Sequence, residues 1–365
     1  MAPHPYKSLP DKAFWRRSVA QRAMNEVDPV GTFDLRLTPD MKVATAGSCF
    51  AQHIARHLKA SGFDYYIAEQ GHPVLPQAVR DAHGYGLFSA RYGNLYTARQ
   101  LWQLIERAYG RFDPVEPPWI DPDGSVRDPF RPTIQPGNFA SVAEMLADRA
   151  QHLARVREMF ENLDVFVFTL GLTECWESKA DGAVFPLCPG VEGGEFDSDL
   201  YAFRNQDVTE VLGDMTAFLT RLAELNPKAQ VILTVSPVPL MATAEPGAQV
   251  LAATTYSKSV LRVAAETLRK AHEHVHYFPS FEVITGAYNL GTYYAEDLRN
   301  VTEEGVGHAM RLVMQHATGA SGDPDSVPAR AKPVDKAPPT DSFSAAAKAF
   351  VEVECDEVAL DREEG

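Results

Sequence analysis

The chain is short of basic charge. Its 34 Lys and Arg stand against 49 Asp and Glu, a formal net charge of −15. Nucleic acid and anionic membrane surfaces demand clustered Lys and Arg, so neither is expected as a main partner. Cysteine is scarce. Cys49, Cys175, Cys188 and Cys355 show no C-x-x-C spacing, so neither a disulfide framework nor a zinc site is indicated. No apolar run approaches bilayer length. The opening residues Met1 to Lys7 carry no apolar leader core. These absences lead to the expectation of a chain without a membrane span, in a reducing, cytoplasmic setting, with no cofactor and no metal. They leave the oligomeric state open.

What is present is a full core. Hydrophobic residues make up 45% of 365 positions, normal for a globular chain. Apolar runs alternate with helical patterns. Met41–Ala46 reads as a strand, as do Phe63–Ile67, Asp164–Leu170, Gln230–Val235 and Val275–Phe278. The runs near 165 and 231 are continuously apolar, which suits strands of a parallel sheet buried on both faces. Helices are expected over Ala98–Tyr109, Ser141–Glu161, Thr209–Leu225, Ser257–His272 and from Thr302 to His316. Ser141 with Glu144, and Thr302, offer N-caps. The stretch from Asp113 to Asn138, rich in Pro, Asp and Gly, reads as a long ordered loop or part of a lid. Residues 1–319 are expected to form one α/β domain and 320–341 a flexible linker. Residues 342–365 form an acidic tail, either disordered or a short docking helix.

The most informative segment is Gly47-Ser48-Cys49-Phe50-Ala51. It follows the first strand and opens an amphipathic helix. In open α/β sheets, sites lie at the carboxyl ends of strands. A Ser there is a candidate nucleophile, with helix-start N–H groups available to developing negative charge. The other reading is that Ser48 simply caps the helix. Two further strand ends, Gly171–Glu174 and Ser236, and the loops at Gly93-Asn94 and Asp297 face the same expected rim.

The pentapeptide resembles the signature of the GSCFA-domain family. So do, in order, Pro5–Pro10 with Phe14-Trp15, Tyr92–Thr97 and Asp128–Pro132, and then Thr169–Glu174, Thr234–Val238, Tyr256–Ser259 and Tyr293–Asp297. That family in turn looks like the SGNH/GDSL hydrolase superfamily. The resemblance implies a flavodoxin-like three-layer α/β sandwich with a mostly parallel sheet and loop insertions. It implies Ser48 as nucleophile, with N–H groups of Ser48 and Gly93 at the oxyanion and Asn94 or Thr173 as a further donor. Thr173 stands where that superfamily has Asn.

The larger departure is at Asp297-Leu298-Arg299-Asn300, where the resemblance implies Asp-x-x-His and Asn300 replaces the His. Asn cannot accept and return a proton, and unassisted Ser is a poor nucleophile near neutral pH. Asp297 could orient a His, act alone as a weak base, or serve as a loop acceptor for backbone N–H groups. His308, about two helical turns on, is a candidate base or a polar residue on the helix flank. His53 reads as a flank residue, and His72 and His83 as loop residues that either swing in or are simply exposed. Glu174 beside Trp176 suits a sugar hydroxyl or a structural hydrogen bond. Lys258 could reach Ser48 from a helix start, or lie on the surface. Cys49 reads as an inert thiol.

Two functions follow. One is a serine esterase or O-acyltransferase acting on a small-molecule or glycan acyl ester. The other is a non-catalytic descendant that binds a glycan or acyl ligand.

Overall fold

Four apolar runs pair as a parallel sheet and set the rest of the architecture. The computed structural model describes residues 4–48, 50–60, 62–318 and 360. Cys49, Cys355, the expected linker and all of the expected tail but Leu360 lie outside the described residues. In chain order the elements are β1 (Val43–Gly47), α1 (Phe50–Ala60), α2 (Gln77–Ala82), α3 (Ala98–Ala108), β2 (Trp119–Ile120), β3 (Val126–Arg127) and α4 (Val142–Asn162). There follow β4 (Val165–Leu170), β5 (Glu174–Ser178), β6 (Val184–Phe185), β7 (Tyr201–Asn205), α5 (Val208–Leu225) and β8 (Gln230–Val235). The last are α6 (Val250–Ala271), β9 (Val275–Tyr277), α7 (Ser280–Thr285) and α8 (Glu303–Thr318).

The central sheet runs β1-β4-β8-β9, all parallel. Alternate strand residues face opposite layers. Ala44, Ala46, Phe166, Phe168, Val231 and Leu233 pack with α3, α4, α5 and α6. Val43, Val165, Val167 and Ile232 pack with α1, α7 and α8 and with the segment carrying Val30 to Leu37. Both faces are covered, which is why the strands are continuously apolar. The mostly parallel three-layer arrangement is the one expected.

The run Phe63–Ile67 is not a strand. It contributes a single parallel bridge, Val43 with Tyr65. A side chain from elsewhere in the chain takes the place of further ladder: Ser89 Oγ accepts from Thr45 N at 3.0 Å. With that bridge counted, the spatial order is that of a flavodoxin-like sheet. Its direction of winding reverses between β1 and β4, where ligands of such sheets bind.

The 113–138 region is packed rather than lid-like. It contains the β2–β3 hairpin and buries Trp119 and Phe130. The segment after Gly171 forms a second, antiparallel sheet, β6-β5-β7. Helix α6 begins seven residues before the expected Ser257, capped by Gln249, whose side chain accepts from Leu251 N and Ala252 N. At α4, Ser141 caps as expected by accepting from Glu144 N, but the Glu144 carboxylate turns to Ala140 N. Thr302 Oγ1 caps α8 by accepting from Gly305 N.

Candidate functional site

Three segments meet at the carboxyl ends of β1 and β4. Gly47 ends β1 with φ +133, and a Cβ there would lie 2.4 Å from Thr169 O. Only glycine lets the two strand ends close in this way. Leu95 N donates to Gly47 O at 2.9 Å, which ties in the 93–96 loop. Tyr96 O in turn accepts from Gly171 N at 2.9 Å and Leu172 N at 3.1 Å. A Cβ on Gly171 would stand 3.3 Å from Ser48 Cβ and 2.9 Å from Tyr96 O. Ser48 therefore lies directly against the turn that follows β4.

Ser48 is more enclosed than the sequence implies. It is 3% exposed, and its hydroxyl oxygen is buried with no hydrogen-bond partner among the described residues. Ser48 O accepts from Ala51 N at 2.9 Å, so the residue begins the helix, yet its hydroxyl caps nothing. Its own N–H donates to Thr169 O at 3.2 Å. Gln52, one helical turn on, is 2% exposed, and both its amide atoms lack partners. Thr169 Oγ1 is also buried and unpaired. Buried polar atoms are normally satisfied, so this group of neutral atoms is unusual.

Gly93 is half-buried, with nothing within 4 Å of where a Cβ would stand. Its N–H makes no hydrogen bond among the described residues. Asn94 beside it is buried. Thr173 is buried too, but its groups are engaged elsewhere. Its hydroxyl donates to Asn205 Oδ1 at 2.7 Å and its N–H to Ser257 Oγ at 3.0 Å. Glu174 accepts from Thr243 Oγ1 at 2.6 Å and Ala244 N at 3.2 Å. Burial raises its carboxyl above the usual range, against those two bonds. Trp176 packs on Phe196 and Phe203. Ser236 is buried, and its hydroxyl accepts from Val238 N.

The structure does not join Asp297 and Asn300 to this group by any hydrogen bond among the described residues. They close on each other. Asp297 Oδ1 accepts from Arg299 N at 3.0 Å and Asn300 N at 2.9 Å, and Oδ2 accepts from Asn300 Nδ2 at 2.5 Å. Both residues are exposed. His308 is buried in the other layer, its Nδ1 paired with Tyr293 OH at 2.8 Å and its ring edge-on to Tyr293 and Tyr288. Burial first, then Arg311, lowers it to about 4. His53 packs on Phe50 and is likewise lowered to about 4 by burial, with Arg56 adding to it. His72 is exposed and accepts from Val74 N. His83 lies against Val79 O.

Two features depart from the sequence reading. Lys258 is 4% exposed, not on the surface, and its Nζ donates to Gly171 O at 2.5 Å. A signal for this existed: Lys258 falls on the same helical stripe as Leu261, Ala265 and Leu268, all buried. The second is a buried charge network that anchors the 91–96 loop. Arg91 Nη1 donates to Asp148 at 2.9 Å, and Arg91 N to Glu69 Oε2 at 2.7 Å. Arg131 bridges Asp128 and Asp148 at 2.9 and 2.8 Å, and Arg149 reaches Asp128 at 2.6 Å. His152 Nδ1 lies 2.7 Å from Glu69 Oε2. Among the described residues no cluster of His, Cys, Asp and Glu is placed to hold a metal. Nor is any helix among them long and apolar enough to cross a membrane.

Among solved structures the chain is similar to a carbohydrate esterase family 3 protein from Talaromyces cellulolyticus. Identity is 11%, over 75% of this chain and 94% of that one, with a TM-score of 0.33. It is also similar to a family 2 carbohydrate esterase with a carbohydrate-binding domain from Corynascus thermopiles (13%, 68% and 58%, TM-score 0.24). A third is an acetyl xylan esterase from the rumen bacterium Butyrivibrio proteoclasticus (14%, 67% and 56%, TM-score 0.23). The chain spans less than two thirds of the latter two. Likenesses this loose carry no weight for activity. No curated protein matches the chain. The GSCFA family matches residues 42–312, most of the chain and all of the central sheet, so this protein belongs to the GSCFA family.

Proposed function

We propose that this GSCFA protein is a serine esterase or O-acyltransferase acting on an acyl ester, with Ser48 as the nucleophile. One observation carries the reading. The Ser48 hydroxyl sits at the carboxyl end of β1, at the point where the sheet's winding reverses, and has no structural bond to hold. A serine kept only as a cap would spend its hydroxyl on the helix.

In this reading Ser48 Oγ attacks the acyl carbonyl. The Gly93 N–H, which makes no hydrogen bond among the described residues, and the Asn94 side chain are the donors this reading assigns to the oxyanion. Ser48 N–H joins them by exchanging its long bond to Thr169 O. The Thr173 hydroxyl, already donating to Asn205, is the weaker candidate. Hydrolysis and transfer then differ in which acceptor, water or an alcohol, takes the acyl group. A carbohydrate acetyl ester is the first substrate to try.

A second reading has its own support. The closed Asp297–Asn300 pair and the covered Ser48 hydroxyl fit a protein that binds a glycan or acyl ligand without turning it over. A fluorophosphonate probe separates the two. The esterase reading expects one adduct by intact mass, mapped to Ser48 and absent in Ser48→Ala. A folded wild type that stays unlabelled sinks it in favour of the binder.

A further inference from the structure

We propose that Lys258 is the general base that activates Ser48. The inference rests on Ser48 being the nucleophile and supplies the proton acceptor that Asn300 cannot be.

Lysine is almost never fully buried without a reason. Lys258 lies about two turns into α6, 4% exposed, beside Ser257 at 1%. The two residues grip the turn that walls Ser48. Ser257 Oγ accepts from Thr173 N at 3.0 Å, and Lys258 Nζ donates to Gly171 O at 2.5 Å. Gly171 is the residue packed on Ser48, close enough that a Cβ would reach 3.3 Å from Ser48 Cβ. The amine is thus tied to the residue next to the hydroxyl, on a flexible four-carbon stem. The other groups expected to act as base are committed elsewhere: Asp297 to Asn300 and His308 to Tyr293.

The chemistry balances. A neutral amine has two N–H bonds and one lone pair. One N–H to Gly171 O fixes the nitrogen and leaves the lone pair for a proton. Removal from water disfavours the ammonium form, which is how buried lysines come to serve as bases. The Ser48 hydroxyl, having no partner, is free to turn toward it. Lys258 Nζ takes the Ser48 proton as Oγ bonds to the acyl carbon. The ester C–O bond then breaks, and the departing alcohol takes the proton from Nζ. Water, or an acceptor alcohol, next gives its proton to Nζ as its oxygen attacks the acyl-enzyme. The Ser48 C–O bond breaks, and Nζ returns that proton to Ser48 Oγ.

The test is the rate of fluorophosphonate labelling in the full chain. Lys258→Met and Lys258→Ala, checked for folding by circular dichroism, should label at least ~10²-fold more slowly than wild type. Ethylamine should restore labelling of Lys258→Ala in a concentration-dependent way. Lys258→Arg keeps a donor for Gly171 O but cannot give up its proton, and should be as slow as Lys258→Met. It serves alone if the shorter variants do not fold. Wild-type labelling rates in any folded Lys258 variant overturn the proposal and leave the Ser48 reading standing. So does full activity in Lys258→Arg with no amine rescue of Lys258→Ala, since that is a structural role. A wild type that never labels overturns both.

Discussion

Two buried polar regions engage the 91–96 loop, one through Arg91 and one through Leu95 and Tyr96, and they are built in opposite ways. In the first, ions meet ions: Arg91, Arg131 and Arg149 face Asp128 and Asp148, and Glu69 faces His152. In the second, at Ser48, three neutral side chains stand unpaired: among the described residues Ser48 Oγ, the Gln52 amide and Thr169 Oγ1 meet no partner. Breaking a buried ion pair strands a charge and costs stability. Removing a group that already lacks a partner costs the fold little. The contrast separates what holds the loop from what is left unpaired beside it: the ion network fixes the backbone that carries Gly93 and Asn94, and the unsatisfied atoms gather at Ser48.

The contrast is sharpest at Ser48 itself. Ser48→Ala should lower esterase or labelling activity by at least ~10⁴-fold, while denaturant unfolding shifts by less than about 1 kcal/mol. A large loss of stability would place Ser48 among the structural groups and erase the distinction. Asp128→Ala should do the reverse. It leaves Arg131 and Arg149 buried without their shared carboxylate, at a cost of about 3–5 kcal/mol in urea or guanidinium unfolding. Whatever protein remains folded should still label at Ser48.

Acid separates the regions from a third group. His308 is held at about 4, below its ordinary 6.5, chiefly by burial. Its folded value lies below its unfolded value, so the stability it contributes is present above pH 6.5 and is lost as pH falls through 4. The loss is on the order of 3 kcal/mol. His308→Gln should flatten that part of the stability–pH curve without touching labelling at about pH 8, well above the range where imidazole titrates. An unchanged curve would show that His308 is not the group responsible. The smallest effect is expected from Thr173→Val. It loses the hydroxyl bond to Asn205, about 1 kcal/mol by thermal unfolding, and should leave labelling within a few-fold. A collapse of labelling would restore Thr173 to the oxyanion.

The central sheet was legible because a strand buried on both faces has little choice of residue: Val165–Leu170 and Gln230–Val235 read as strands at sight. Caps were legible where a short polar side chain does the capping, at Ser141 and Thr302. The start of α6 was not, since Gln249 caps it. The strand at Phe63–Ile67 failed for a reason no local pattern carries: Ser89, from a distant loop, takes the Thr45 N–H. The second sheet, β6-β5-β7, hid in strands as short as two residues with half-exposed aromatics. At the site, the Ser48 turn and the 93–96 loop could be placed near each other from motif order. The ion network could not, because Arg91, Asp128 and Asp148 are far apart in sequence and each alone reads as surface charge. The burial of Lys258 was readable from its helical stripe, but lysine is so seldom buried that a surface position reads as the safer choice.

The claim beneath all of this is that the Ser48 hydroxyl is reactive rather than idle. It is tested most directly by quenching the protein in acid during turnover of p-nitrophenyl acetate and weighing it. A nucleophilic Ser48 should yield a protein heavier by one acetyl group, carried on the peptide containing Ser48. Acetate release without that adduct, or an adduct that persists in Ser48→Ala, would contradict it.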